Sequence, residues 1–151
     1  MPRFEAESVD LFTVPFFERT PTMRTPYQIV ADHYAASARQ DLTGMLADVA
    51  ADVQWTEMAG FPCAGTYVGA QQIIDNVFAV LGRDWDGFSF TLERLIDGGD
   101  SVVALGVYRG SFHQTGKAMQ ARVAHVWQVA QDKVTHFEQF VDTRLVAAAM
   151  T

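Results

Sequence analysis

The sequence predicts an α+β fold, and three observations predict it. Apolar residues recur at helical spacing in the first half of the chain, at Tyr27, Val30 and Tyr34 and again at Ile73, Ile74, Val77, Phe78 and Leu81. From Phe88 onward the period drops to two, with Phe88, Phe90 and Leu92 alternating against Ser89, Thr91 and Glu93. Turn signals, "GGD" at 98–100 and "TGK" at 115–117, divide the second half of the chain into strands. Helices segregated from an antiparallel sheet form an α+β architecture. A strongly bent sheet wrapped around three N-terminal helices makes a cone-shaped barrel, with a pocket between the first helix and the concave face.

Each element has a local cause. Residues 1–24 hold no sustained period and are broken by Pro2, Pro15 and Pro21, so they read as an N-terminal arm before a domain spanning 25–151. Met23 is a second candidate for the biological start. Thr25-Pro26 supplies a helix N-cap followed by proline in the first turn, and the helix is expected to run to about Arg39. Asp41 caps a second helix, with Leu42, Met45, Leu46 and Val49 facing inward. "DVQWTE" (52–57) is a short strand, and "MAGFPCAGTYVG" reads as a Gly/Pro loop. Gly69 leads into a third helix that Gly82 terminates. Four strands come next, and "DTRLVAAAM" closes the chain as a short helix capped by Asp142 or Thr143.

The hairpin "VAHVWQVAQDKVTHFEQFVDT" (123–143) carries several polar residues on apolar strands, and its register decides which face inward. A two- or four-residue loop would pair His125 with Glu138. A three-residue loop with Asp132 as a left-handed bulge residue pairs Val129 with Lys133. His125, Trp127, Phe137, Gln139 and Val141 then share the inner face, and His136, Glu138, Phe140 and Asp142 face outward. The residues alone leave both arrangements open.

Composition narrows function. The net charge of −7 argues against nucleic acid and against an anionic membrane surface, both of which need clustered Lys and Arg. No run of about 18 apolar residues suggests a membrane span, and no signal peptide is evident. A single cysteine, Cys63, allows no internal disulfide and no thiolate zinc cluster, which fits a cytoplasmic setting. The four histidines show no metal-ligand spacing, so no metal or other cofactor is expected. With 11 Phe, 3 Trp and 4 Tyr there is enough aromatic area to line an apolar pocket as well as fill a core.

Three segments carry a resemblance: "YQIVADHYAASARQDLTGMLADVAADVQWTE", "PCAGTYVGAQQIIDNVF" and "TGKAMQARVAHVWQVAQDKVTHFEQFVDT". Across roughly 26–149 the chain resembles the SnoaL-like and ketosteroid-isomerase-related proteins of the nuclear transport factor 2-like superfamily, whose cystatin-like cone matches the expected fold. The resemblance implies a homodimer formed through the outer sheet face. The family's hairpin has Gly where this chain has Asp132, which implies the three-residue loop and makes the register with His125 and Gln139 inward the expected one. It also places functional positions. The carboxylate base of ketosteroid isomerases falls on Glu57. Their oxyanion-binding tyrosine falls on His33, and their protonated acid on His125. In SnoaL-type cyclases the histidine position also matches His125, and the acid/base aspartate position holds Gln139, which takes up no proton at ordinary pH.

Glu57 lies two residues beyond Trp55, so both belong to one strand face. Beside an interior indole its carboxyl loses hydration and its pKa rises toward the general-base range; at a solvated strand end it would be an ordinary glutamate. His125 is either a pocket residue or a core histidine satisfied by a neighbour. His33 and Tyr34 lie about 100° apart on the first helix, and either can face the pocket. Trp55, Tyr34, Trp127, Phe137 and Gln139 are the expected ligand-binding wall. Arg109 and Arg122 fit cross-strand pairs, and Cys63 fits packing. The expected function is a pocket for a small hydrophobic molecule. The alternative is a cofactor-free isomerase, dehydratase or hydrolase acting by proton transfer on an apolar carbonyl or epoxide, with Glu57 moving the proton and His125 and His33 polarising oxygen.

Overall fold

A computed structural model describes residues 23–151. The expected arm lies outside the described residues except for Met23 and Arg24. Arg24 sits just ahead of the first helix. Its guanidinium reaches Asp48 at 2.6 Å and Asp32 at 2.7 Å.

Helix α1 spans Pro26–Ala38 and begins as its sequence demands. The Thr25 hydroxyl accepts from the Gln28 amide, and the Gln28 side chain accepts from the Thr25 amide, which closes a capping box. Ile29, Val30, His33 and Tyr34 form its buried face. Asp41 caps the short α2, Leu42–Leu46, through the Gly44 amide. Leu42 is 40% exposed and Met45 and Leu46 are only half-buried, while Val49 lies outside the helix in the strand that follows.

Strand β1, Val49–Glu57, is followed by β2, Gly65–Val68, which lies in the stretch expected to be loop. The short β2 pairs antiparallel with the end of β1, Trp55 opposite Tyr67 and Glu57 opposite Gly65. The third helical region runs α3 (Ala70–Ile73), a π-helical turn (Ile74–Phe78) and α4 (Ala79–Asp84). Gly82 does not end it. The helix continues to Asp84, and Gly82 keeps a backbone that needs no left-handed φ.

Strands β3 (Trp85–Gly98), β4 (Ser101–Phe112), β5 (Ala118–Ala130) and β6 (Lys133–Val141) form an antiparallel meander, and α5, Thr143–Met150, closes the chain with Asp142 capping Leu145. The sheet order is β2-β1-β6-β5-β4-β3. It is mixed, because β1 runs parallel to β6, Trp55 opposite Phe137, while the other neighbours are antiparallel. The curled, unclosed sheet wraps its concave face around the helices, as an α+β cone of the nuclear transport factor 2-like type does.

The β5–β6 turn works differently from expectation, yet gives the expected faces. Ala130 pairs with Lys133, leaving a two-residue loop in which Gln131 (φ 51°) and Asp132 (φ 63°) are both left-handed, as the tight hairpin turn requires. That loop alone would carry His125 to Glu138. A bulge on β6 instead shifts the ladder between Val129↔Val134 and Gln128↔His136. His125 therefore sits directly opposite Gln139, and both are buried.

Candidate functional site

The concave face and the helices form a half-open cavity of about 550 Å³. Aromatic rings dominate its wall: Trp55, Phe78, Trp85, Phe88, Phe90 and Phe137, with Tyr34 and Tyr108 among them. His33, Glu57 and His125 line it too. The three expected catalytic residues thus share one cavity. Of the expected wall, Trp127 and Gln139 stand behind it, bonded to its tyrosines.

Glu57 ends β1 on the same face as Trp55, as strand alternation requires, and both are almost fully buried. The Trp55 indole N–H donates to Glu57 Oε1 at 2.6 Å. Oε2 is buried and has no protein partner. Burial raises the carboxyl pKa to about 7, against a smaller lowering by the Trp55 hydrogen bond.

His125 is held at both ring nitrogens. Nδ1 lies 2.7 Å from the Tyr34 hydroxyl and Nε2 lies 2.7 Å from the Tyr108 hydroxyl. Phe90 stacks on the ring, centroids 4.7 Å apart. Burial, with a further push from His33, lowers its pKa to about 3, so it is neutral at ordinary pH. Phe90 can lie so close because β4 has Gly106 beneath it: a Cβ there would meet the Phe90 ring at 2.5 Å and the Thr91 carbonyl at 2.4 Å.

The protons of this network can be counted. Trp127 N–H donates to the Tyr34 oxygen at 2.8 Å. The Met58 amide donates to Gln139 Oε1 at 3.2 Å, which orients that amide so that its Nε2 donates to the Tyr108 oxygen at 2.9 Å. Neutral His125 has one N–H and one lone pair. It therefore accepts a hydrogen bond from one tyrosine hydroxyl and donates one to the other. The tyrosine that accepts from His125 keeps its own O–H free. Sequence reading missed Tyr108; its signal was its even spacing from Val102, Ala104 and Gly106 along β4.

His33 donates from Nδ1 to the Met45 carbonyl at 2.9 Å. A carbonyl only accepts, so the proton is on Nδ1 and Nε2 carries a lone pair. Burial lowers its pKa to about 4, opposed by the Met45 bond, and the ring is neutral. Cys63 is buried and its thiol is pushed up to about 12, chiefly by burial, so it offers no thiolate. Arg122 pairs with Glu93 at 2.9 Å and Arg109 bonds Thr91 at 3.1 Å, both across strands. Among the described residues no cluster of three His, Cys, Asp or Glu gathers to hold a metal, and no helix is long and apolar enough to cross a membrane.

The cone and its contents define a class. The chain belongs to the SnoaL-like domain family, whose model matches residues 30–137. It is similar to a nuclear transport factor 2-like protein from Burkholderia thailandensis, with 60% identity over 85% of this chain and 99% of that one and a TM-score of 0.85. It is also similar to a protein of that fold and unknown function from Burkholderia pseudomallei, at 27% identity over 85% and 99% of the two chains and a TM-score of 0.77. A putative SnoaL-like polyketide cyclase from Shewanella putrefaciens, 17% identical over 85% and 98% with a TM-score of 0.68, shares the fold. No curated protein matches the chain.

Proposed function

We propose that the protein binds a small hydrophobic ligand bearing an oxygen function inside the cone, without a cofactor. One observation carries this reading: an aromatic-walled cavity of about 550 Å³ is lined by Glu57, a carboxyl residue whose Oε2 is buried with no protein partner. Core cavities of apolar lining need no such group, and a buried polar atom left unpaired costs about 1–3 kcal/mol. A thermal-shift and calorimetric screen of small hydrophobic carbonyl and hydroxyl compounds tests it. Saturable stabilisation by members of the set supports the reading, and indifference to all of them overturns it.

A second reading is favoured by Glu57 titrating near 7. Its carboxylate takes a proton from the carbon next to a ligand carbonyl. The C–H electron pair forms the enolate double bond, and a donor stabilises the oxygen. His33 and His125 do not fit the donor role in their neutral states, since one offers a lone pair and the other is spent on two tyrosines. The spare hydroxyl of Tyr34 or Tyr108 fits it. Tyr108 stands close enough to Glu57 for the carboxylate charge to raise its pKa further, after burial, which is the larger cause. Solvent deuterium exchange into a bound ketone, rising with pH through about 7 and lost in Glu57→Gln, is the expected result. Exchange that survives Glu57→Gln removes this mechanism.

The outer sheet face supports self-association into a homodimer. Cross-strand pairing puts Ile96, Val103 and Val126 in one row, and Leu105, Ala124 and Phe140 in the next. Phe140 is 44% exposed at the edge of this apolar stripe. Light scattering should give a dimer mass for the protein and a monomer mass for Phe140→Glu; a monomer in both discards the assignment.

A further inference from the structure

Helix α1 and strand β3 leave a second groove between them. Its volume is about 510 Å³; Ala31, Ala35 and Ala38 line it from the helix, and Phe90 and Leu92 line it from the strand. The three alanines recur at i, i+4 and i+7, so they form one helix face with no side chain longer than a methyl. Tyr34 and Phe90, ring centroids 4.9 Å apart, line both this groove and the cavity inside the cone, so the two spaces share a wall. Strand β3 ends the sheet, so among the described residues no strand pairs with its outward edge. An apolar groove beside a free strand edge suits an extended segment, whose backbone pairs with the edge while alternate side chains enter the groove.

The chain carries a segment of matching chemistry. Residues 1–22 lie outside the described residues and join the fold at Met23, just ahead of α1, where Arg24 is fixed by Asp32 and Asp48. Within them "LFTVPFF" (11–17) is apolar at every position except Thr13. On an extended backbone Phe12, Val14 and Phe16 share one face, and their N–H and C=O groups share one edge. Pro15, which has no N–H, then falls on the outer edge, where proline is tolerated and bars a further strand. From Phe17 to Met23 an extended chain spans about 20 Å, which matches the roughly 18 Å from Pro26 to Ala38 along α1. Being tethered, the segment meets the groove at a high effective concentration, which favours it over a free partner. We propose that Leu11–Phe17 of the same chain lies extended in this groove, adding a strand to the free edge of β3 and turning Phe12, Val14 and Phe16 toward the alanine face of α1. The arm then backs the wall that holds His125, since Phe90 stacks on that ring at 4.7 Å.

A nitroxide on Thr13→Cys in the full chain tests it. Thr13 falls on the face opposite Phe12 and Val14, so the label stays out of the groove, and Cys63 is buried and stays unlabelled. The amide resonances of Ala35 and Leu92 should lose most of their intensity and regain it when the nitroxide is reduced. In the labelled chain that also carries Phe12→Asp and Phe16→Asp they should stay sharp, since the arm loses its apolar face while the cone keeps all its own contacts. Without any label, hydrogen exchange of the amides at 90–92 should be slower in the protein than in the Phe12→Asp/Phe16→Asp variant, which reads the added strand independently. Full intensity at Ala35 and Leu92 beside the nitroxide, or equal exchange in the two proteins, overturns the proposal. Broadening of an isotope-labelled chain by a nitroxide on a different chain places a second copy's arm in the groove and overturns docking within one chain.

Discussion

The Tyr34 hydroxyl and His125 Nδ1 lie 2.7 Å apart although they are separated by 91 positions in the chain. That contact ties α1 to the centre of the sheet. Because Tyr108 holds the other ring nitrogen, His125 acts as a buried crosspiece between helix and β4. It also positions the two hydroxyls that border the cavity.

Replacing His125 with Phe keeps the stack on Phe90 but strips both tyrosines of a partner. Each hydroxyl retains its bond from Trp127 or Gln139, so the loss is partial. Urea unfolding at pH 7 should show a destabilisation of about 2–4 kcal/mol. A loss below about 0.5 kcal/mol would mean that the crosspiece contributes little to holding the helix on the sheet.

Glu57 makes stability fall as pH rises. Its pKa is raised from 4.5 unfolded to about 7 folded. Between those values the folded state binds more protons than the unfolded state, so its contribution is full below pH 4.5 and is lost by about pH 7. The two buried histidines act oppositely, since their folded values lie below 6.5 and they stabilise more as pH climbs. Comparing the protein with Glu57→Gln cancels the histidines. From about pH 4.5 to about 7.5 the variant should gain about 3 kcal/mol relative to the protein. Parallel stability curves would show an ordinary carboxyl.

Two glycines should respond in opposite directions to alanine. Gly82 lies within α4, and a Cβ there meets nothing within 4 Å. Gly82→Ala should stabilise by about 0.5–1 kcal/mol through helix propensity. At Gly106 the methyl would collide with Phe90 and the Thr91 carbonyl. Gly106→Ala should destabilise by about 1–3 kcal/mol and move Phe90 off His125. Thermal melts of both variants check the pair, and equal shifts would rule out the packing described.

The parts of this molecule that were legible in its sequence are those set by local rules. The Thr25 cap, the Asp142 cap and the period-two strands come from side-chain chemistry within a few residues. So does the shared face of Trp55 and Glu57. The β2 strand was not legible, because its four residues, Gly65–Val68, carry no period and exist by pairing with β1. The hairpin hid its bulge for a related reason. Two left-handed residues, Gln131 and Asp132, replace the expected single one, and the compensating extra residue lies in β6 rather than in the turn. Tyr108 was passed over because one hydroxyl on a strand reads as core. What distinguishes it, a proton count on His125, exists only once distant strands are brought together.

Occupation of the cone's cavity by a small oxygen-bearing apolar ligand is tested most directly by calorimetric titration with 2-acetonaphthone, on the protein and on Ser37→Trp. Ser37 is half-buried in the cavity wall, so an indole there fills the space a ligand would take. Saturable one-to-one binding is expected, weakening at least about tenfold in Ser37→Trp while its circular dichroism is unchanged. No binding by the unsubstituted protein, or equal binding by both, would refute ligand binding in the cone.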